Sequence, residues 1–303
     1  MSQALYVMGE ALMDCIAQPD GSLKPFMGGS PFNFARAASL QGADVCFVNP
    51  LSTDTFGDAM RTQFEKDGVK TLLPASRLPT SLAVVQIKQG QPSYAFYRQG
   101  IADRDYSVEQ VLKQLALLQP GVLNTGSLLL IPPETEKVQA VLQGAKRLGW
   151  IISMDVNMRP QIAPDVGLYV KAVQHLVPLV DWVKASDEDL ELLGFALPSR
   201  AKCAGIAKHF TDMGASRIAF TFGSGGAWLQ VDGQTAEQDV PKIELVDSVG
   251  AGDTFWGNCV ADWVLQPDNA ASRVAKTLQQ AMLAAAINCT RAGCQPPTQT
   301  EMA

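Results

Sequence analysis

Charge, aromatic residues and histidine are all scarce in this sequence, and each shortage removes a class of function. Charged residues make up 18% of the chain and aromatics 7%, against 47% hydrophobic residues. That balance excludes bulk disorder and supplies material for a large core. Acids outnumber bases, leaving a net charge of −6, so the chain is a poor general binder of nucleic-acid backbones. There are two histidines, His175 and His209, and no pair among the six cysteines stands at CxxC spacing. A structural zinc site has little to work with. The cysteines are read as mostly buried thiols of a reducing compartment. No uncharged apolar run reaches the roughly 18 residues of a membrane span. The N-terminal stretch lacks a basic region and carries Glu10 and Asp14, so it does not read as a signal peptide. The expected location is the cytoplasm.

What is present is a rhythm. Short apolar runs at 4–9, 44–50, 122–130, 150–156, 180–186 and 217–222 read as strands. Helical patterns lie between them, near 31–41, 55–67, 107–118, 134–148, 166–176, 187–193 and 199–213, and two more follow at 252–265 and 271–291. Buried strands alternating with helices predict an α/β fold with a mainly parallel sheet covered on both faces. Two segments break the rhythm. Residues 80–99 read as a hairpin around Gly90-Gln91-Pro92, and residues 11–28 as strands about Pro19-Asp20-Gly21. Together, near 11–28 and 80–100, they predict a small second sheet that forms a lid on a single domain spanning 1–303.

Four segments carry chemistry. In VDSVGAGDTFWGN (246–258), Gly250, Ala251 and Gly252 form a small-residue turn where a helix begins. Free backbone N–H groups and the helix dipole attract anions there, and Asp253 in the first turn suits a general base for a hydroxyl. A plain helix start favouring an acidic residue reads equally well from these residues alone. TFGSGGAW (221–228) is a flexible glycine turn after a strand, either a nucleotide turn or an ordinary hairpin. It is neither a dinucleotide fingerprint nor a Walker loop. FMGGSPFNFARAA (26–38) places Asn33 in the first turn of a helix, where its amide could bond sugar hydroxyls or simply face solvent. MDVNMRP (154–160) puts Asp155, Asn157 and Arg159 beyond a strand's carboxyl end, either where open α/β sheets bind ligands or as a plain surface loop.

In this order, GGSPFNFA (28–35) and DSVGAGDTF (247–255) resemble the two signatures of the ribokinase (PfkB) family of carbohydrate kinases. GEALMD (9–14), FYRQGIAD (96–103) and DVNMRP look most like its fructokinase branch. The resemblance implies a ribokinase-like three-layer α/β/α core with a β-sheet lid. It also implies transfer of the ATP γ-phosphoryl to a sugar hydroxyl, with Mg²⁺ and, in potassium-activated members, K⁺. By position it assigns sugar contacts to Asp14, Gly28, Gly29, Asn33, Phe96, Arg98, Asn157 and Arg159. It assigns the anion hole to Gly250, Ala251 and Gly252, and the base to Asp253. Nucleotide contacts fall on Ser186, Thr221, Gly223, Gly226 and Asn288, and a monovalent-cation contact on Asp247. The family's NxxE motif appears as Ser186-Asp187-Glu188-Asp189, with shorter side chains, so an Mg²⁺ contact at Asp189 is expected to run through water. Fructose is the first expected substrate. 2-Keto-3-deoxygluconate, ribose or a nucleoside are the alternatives, as is a non-catalytic binding role. Family habit further implies a homodimer through the lid.

Overall fold

The computed structural model describes residues 2–88 and 91–302. In chain order the elements are β1 (Leu5–Val7), β2 (Leu12–Ala17), β3 (Leu23–Gly28), α1 (Ser30–Leu40), β4 (Val45–Phe47), α2 (Thr55–Asp67), β5 (Lys70–Thr71), β6 (Ser81–Lys88) and β7 (Gln91–Tyr97). There follow α3 (Val108–Leu115), β8 (Val122–Gly126), α4 (Glu134–Arg147), β9 (Ile151–Asp155), α5 (Val166–Leu176), β10 (Trp182–Ser186), α6 (Asp187–Leu192), α7 (Cys203–Asp212) and β11 (Arg217–Thr221). The chain closes with β12 (Ala227–Val231), β13 (Gln234–Gln238), α8 (Ala251–Leu265) and α9 (Val274–Cys289).

Nine strands form the large sheet, in the order β13-β12-β11-β10-β9-β8-β1-β4-β5. It is parallel from β5 to β11, and only the β11–β12 and β12–β13 pairings are antiparallel. Alternation along the strands separates two cores. Val183, Ile218 and Phe220 point to one face, where α3, α4, α5, α6 and α7 pack. Leu5, Val7, Trp182 and Ala219 point to the other, where α1, α2, α8 and α9 pack. A strand buried on both faces needs apolar residues at successive positions, which is what the short runs supply. Neither strand of the β12–β13 hairpin is marked in the sequence pattern; Gln234–Gln238 carries few apolar residues, whereas Ala227–Val231 is a short apolar run.

The second sheet has four strands in the order β3-β2-β6-β7. Both rhythm-breaking segments join it, β2–β3 and β6–β7 as antiparallel pairs and β2–β6 in parallel. The Gly90 turn expected between β6 and β7 lies outside the described residues. β1 leads directly into β2, so the small sheet is rooted at the carboxyl end of the large sheet. Among the described residues no helix is long and apolar enough to cross a membrane.

Candidate active site

A cavity of about 1080 Å³ opens between the two sheets. Strands of the small sheet contribute Leu12, Asp14, Phe26 and Phe96; the large sheet and its loops contribute Glu10, Arg159, Lys184 and residues 247–253. Two helices aim their N-termini at its floor. α1 begins at Gly29, whose φ is 102°. A Cβ there would stand 2.6 Å from the Glu10 carbonyl oxygen, so glycine is required on both counts. α8 begins at Gly250, with φ 74°, where a Cβ would stand 2.2 Å from Cys294 Sγ. Gly257 lets the two helices approach: a Cβ on it would come within 2.9 Å of Ala37 Cβ.

Asp253 sits where the helices converge. Ser30 Oγ donates to its Oδ1 at 2.6 Å and Asn33 Nδ2 donates to its Oδ2 at 2.9 Å. Burial raises the pKa of Asp253; these two bonds and the nearby Lys184 and Arg159 pull against it. In the first turn of α8 the Ala251 N–H is turned back onto the Ser248 carbonyl at 3.2 Å. Among the described residues no chain carbonyl accepts from Gly250, Gly252 or Asp253 N–H outside helical bonding. The open donors of this turn therefore include Asp253's own amide and exclude much of Ala251's.

Lys184 lies under this turn. Its Nζ donates to both Asp155 oxygens, at 2.8 and 2.9 Å, and would stand 3.3 Å from a Cβ on Gly252. Burial opposes its charge, but Asp155, Asp189 and Asp253 more than offset that, and its pKa is raised. Glu10 forms the other wall, 1% exposed. Its Oε1 accepts from Ser30 N–H at 3.2 Å. Burial pushes its carboxyl up to about 7, with Arg98 pulling it back. Asp14 is pushed up to about 6 by burial; Arg159 opposes the rise and Asp253 adds to it. Anionic residues outnumber cationic ones here, which suits a polar acceptor and leaves incoming phosphates to the helix terminus, Lys184 and Arg159.

The structure brings Asp14, Gly29, Asn33, Phe96, Asn157, Arg159, Asp247 and residues 250–253 together around the cavity. Other residues singled out from the sequence stand behind the wall. Arg98 is buried, pairing with Asp103 at 3.2 Å and donating to Ser81 Oγ. Gly28 faces Asp14 Oδ2 from β3. Ser186 and Asp189 cap α6 reciprocally, and Asp189 Oδ1 also accepts from Met158 N–H at 2.7 Å. Both Asp189 oxygens are thus taken by chain donors, while Glu188 and Glu191 line the cavity. Asn288 is fully buried and ties the Val249 carbonyl to Gln295 N–H, so it shapes the wall from within. Thr221, Gly223 and Gly226 form the β11–β12 turn, off the cavity. Asp247 accepts from Val249 and Gly293 N–H, joining the loop before α8 to the one after α9.

The model of the pfkB family of carbohydrate kinases matches residues 2–301. The chain belongs to that family. As a family member it is a sugar kinase, and its fold is the ribokinase-like one. A fructokinase of Vibrio alginolyticus is 28% identical over 98% of this chain and 97% of its own length. A fructokinase of Rhizobium leguminosarum is 28% identical over 86% and 79%. Fructokinase from Xylella fastidiosa, solved with bound ATP, superposes with a TM-score of 0.85 at 26% identity, covering 100% of this chain and 97% of that one. A ribokinase-like protein of Escherichia coli, solved with ATP and Mg²⁺, shares the fold with a TM-score of 0.83 at 22% identity, covering 99% of this chain and 97% of that one.

Three residues that line this cavity carry no role assigned from the sequence: Glu10, Ser30 and Lys184. Lys184 has a signal, being a basic residue inside the otherwise buried run VDWVKAS, where charge requires a partner. Ser30, between a glycine and a proline, has none.

Proposed function

We propose that this kinase transfers the ATP γ-phosphoryl to a primary hydroxyl of a small sugar, fructose first, with Asp253 as the base. The observation that carries the reading is Asp253 beside the open amides of α8, with Lys184 under the same turn. As the acceptor oxygen attacks phosphorus in line, its proton passes to Asp253, the new O–P bond forms and ADP leaves. The α8 amides, Lys184 and Arg159 balance charge on the moving group. Asp14 and Asn33 hold the acceptor's hydroxyls. The nucleotide runs from the α8 turn past Ala292–Cys294 towards Thr221–Gly226, alongside the exposed Leu245, Val246 and Val249. Mg²⁺ suits the Glu188 and Glu191 carboxylates that line the cavity, while Asp189 holds Met158 and Ser186 in place. Bound with ATP, it neutralises phosphate charge and retains most of its water. A K⁺ contact at Asp247 and a homodimer through the lid complete the reading. Fructose is favoured by the relatives that share the whole chain.

The test is ADP release across fructose, 2-keto-3-deoxygluconate, ribose and nucleosides, with and without Mg²⁺ and in potassium or sodium buffer. Fructose should give the highest kcat/KM, and only with Mg²⁺. Faster turnover of another acceptor would transfer the assignment to it. Binding without turnover of any would leave a sugar-binding protein. Equal rates in the two buffers would remove the K⁺ site.

A further inference from the structure

Both oxygens of Asp253 are held by the chain itself, and one of those bonds is unusual. A serine at a helix start normally bonds nearby backbone and competes with or caps its own helix. Ser30 does neither: α1 has Gly29 as its N-cap and no side-chain cap bond. The Ser30 hydroxyl instead reaches across 223 residues of sequence to Asp253 Oδ1. Its backbone is fixed for that reach. Gly29 before it takes a φ closed to other residues, Pro31 after it stiffens the first turn, and Glu10 Oε1 accepts its N–H.

We propose that Ser30 is a positioning residue for the transfer step, aiming Asp253 and keeping its carboxylate ionised until an acceptor hydroxyl takes over Oδ1. The inference rests on Asp253 being the base. A buried carboxylate keeps its charge only through donors and nearby cations. Around Asp253 the donors are Ser30 and Asn33 from α1, and the cations are Lys184 from β10 and Arg159 beyond β9. Asp14 on β2, Asp155 on β9 and the Cys294 thiol also face it; the two carboxylates oppose its charge. Removing the Ser30 donor leaves burial and the two acids less opposed, so the carboxylate takes up a proton at higher pH. An acceptor hydroxyl donating to Oδ1 replaces one donor by another, so the base loses nothing when Ser30 yields.

The experiment is the pH profile of kcat/KM for the wild type, Ser30→Ala and Ser30→Thr, with Asp253→Asn as reference. In Ser30→Ala the acid limb should move to higher pH. Activity on that limb should fall roughly 10- to 100-fold, the worth of a hydrogen bond to a charged acceptor, and the alkaline plateau should fall less. Ser30→Thr keeps a hydroxyl and should restore the limb. Ser30→Cys, of similar size but a weak donor, carries the alanine expectation should alanine not fold. An unmoved limb, or an equal loss at every pH, overturns the inference. If Asp253→Asn is inactive while the Ser30→Ala limb stays put, only this inference falls. If Asp253→Asn keeps near-normal turnover, the base assignment falls, and Ser30 with it.

Discussion

At the scale of single residues the site is a set of buried charges, each with a definite sign of effect. Asp253→Asn should lower kcat by roughly 10²–10⁴-fold, the usual contribution of a positioned base, while the sugar Kd measured by calorimetry changes little. Near-normal kcat would exclude the assignment. Glu10 makes a separate prediction about stability. Its carboxyl is pushed from an ordinary 4.5 to about 7 in the folded chain, chiefly by burial. Between those values the native state binds more protons than the unfolded state, so this group's contribution falls as pH rises through the window and is fully lost above it. Glu10→Gln keeps an acceptor for Ser30 N–H and removes the titration. Urea unfolding at pH 5 and pH 8 should show the variant gaining on the wild type at the higher pH, by on the order of 1–3 kcal/mol. A difference that is the same at both values would show that Glu10 does not titrate in this range.

At the scale of elements, function depends on how α1 and α8 begin. Gly250→Ala places a side chain at a φ of 74° and drives its Cβ into Cys294 Sγ. The left-handed backbone alone costs roughly 1–2 kcal/mol, and the collision adds to it. We expect a lowered melting temperature and a loss of kcat, since the open amides move with the turn. Adding Cys294→Ala removes the Sγ contact but keeps a Cβ 2.6 Å away as well as the backbone strain, so the double variant should recover part of the melting temperature and no more. Full recovery would mean the backbone strain is negligible. These helix starts also mark how far the sequence can be read. GAGD and GGSPFN are local patterns of glycine, proline and a polar residue, so both turns and Asp253 are legible in the sequence itself. The strands 5–7 and 217–221 are equally clear from their apolar runs. Lys184 and Asp155 meet only because β9 and β10 are neighbours, and Ser30 meets Asp253 only because α1 and α8 cross. Such pairings depend on sheet order and helix packing, which no local pattern records. Ser186 and Asp189 show the reverse case: their spacing resembles a phosphate motif, and the side chains close a capping box.

At the scale of the whole molecule, the site is a seam between two sheets. The large sheet supplies rigid positions for Asp155, Lys184 and the α8 turn; the smaller one supplies Asp14, Phe26 and Phe96 across the gap. We propose that the smaller sheet, rooted through β1–β2, closes on an acceptor as a lid and excludes water, limiting ATP hydrolysis without a sugar. The lid has its own unfinished surface. β3 and β7 are the edges of a four-stranded sheet, with no strand partner on their outer sides among the described residues. Leu23 on β3 is 49% exposed and Tyr97 at the end of β7 61%. Open edges carrying apolar groups favour pairing with another chain, and a two-fold pairing of identical lids closes without leaving a free copy of the surface. Light scattering coupled to size-exclusion chromatography should therefore give a dimer mass for the wild type. Leu23→Lys with Tyr97→Lys should shift it towards the monomer, because a buried charge at each edge is costly. If the lids also brace one another, the monomeric variant should show a raised ratio of sugar-independent ATP hydrolysis to sugar phosphorylation. A wild type that stays monomeric across concentration would leave the lid closing alone, and the ratio would then be set within a single chain.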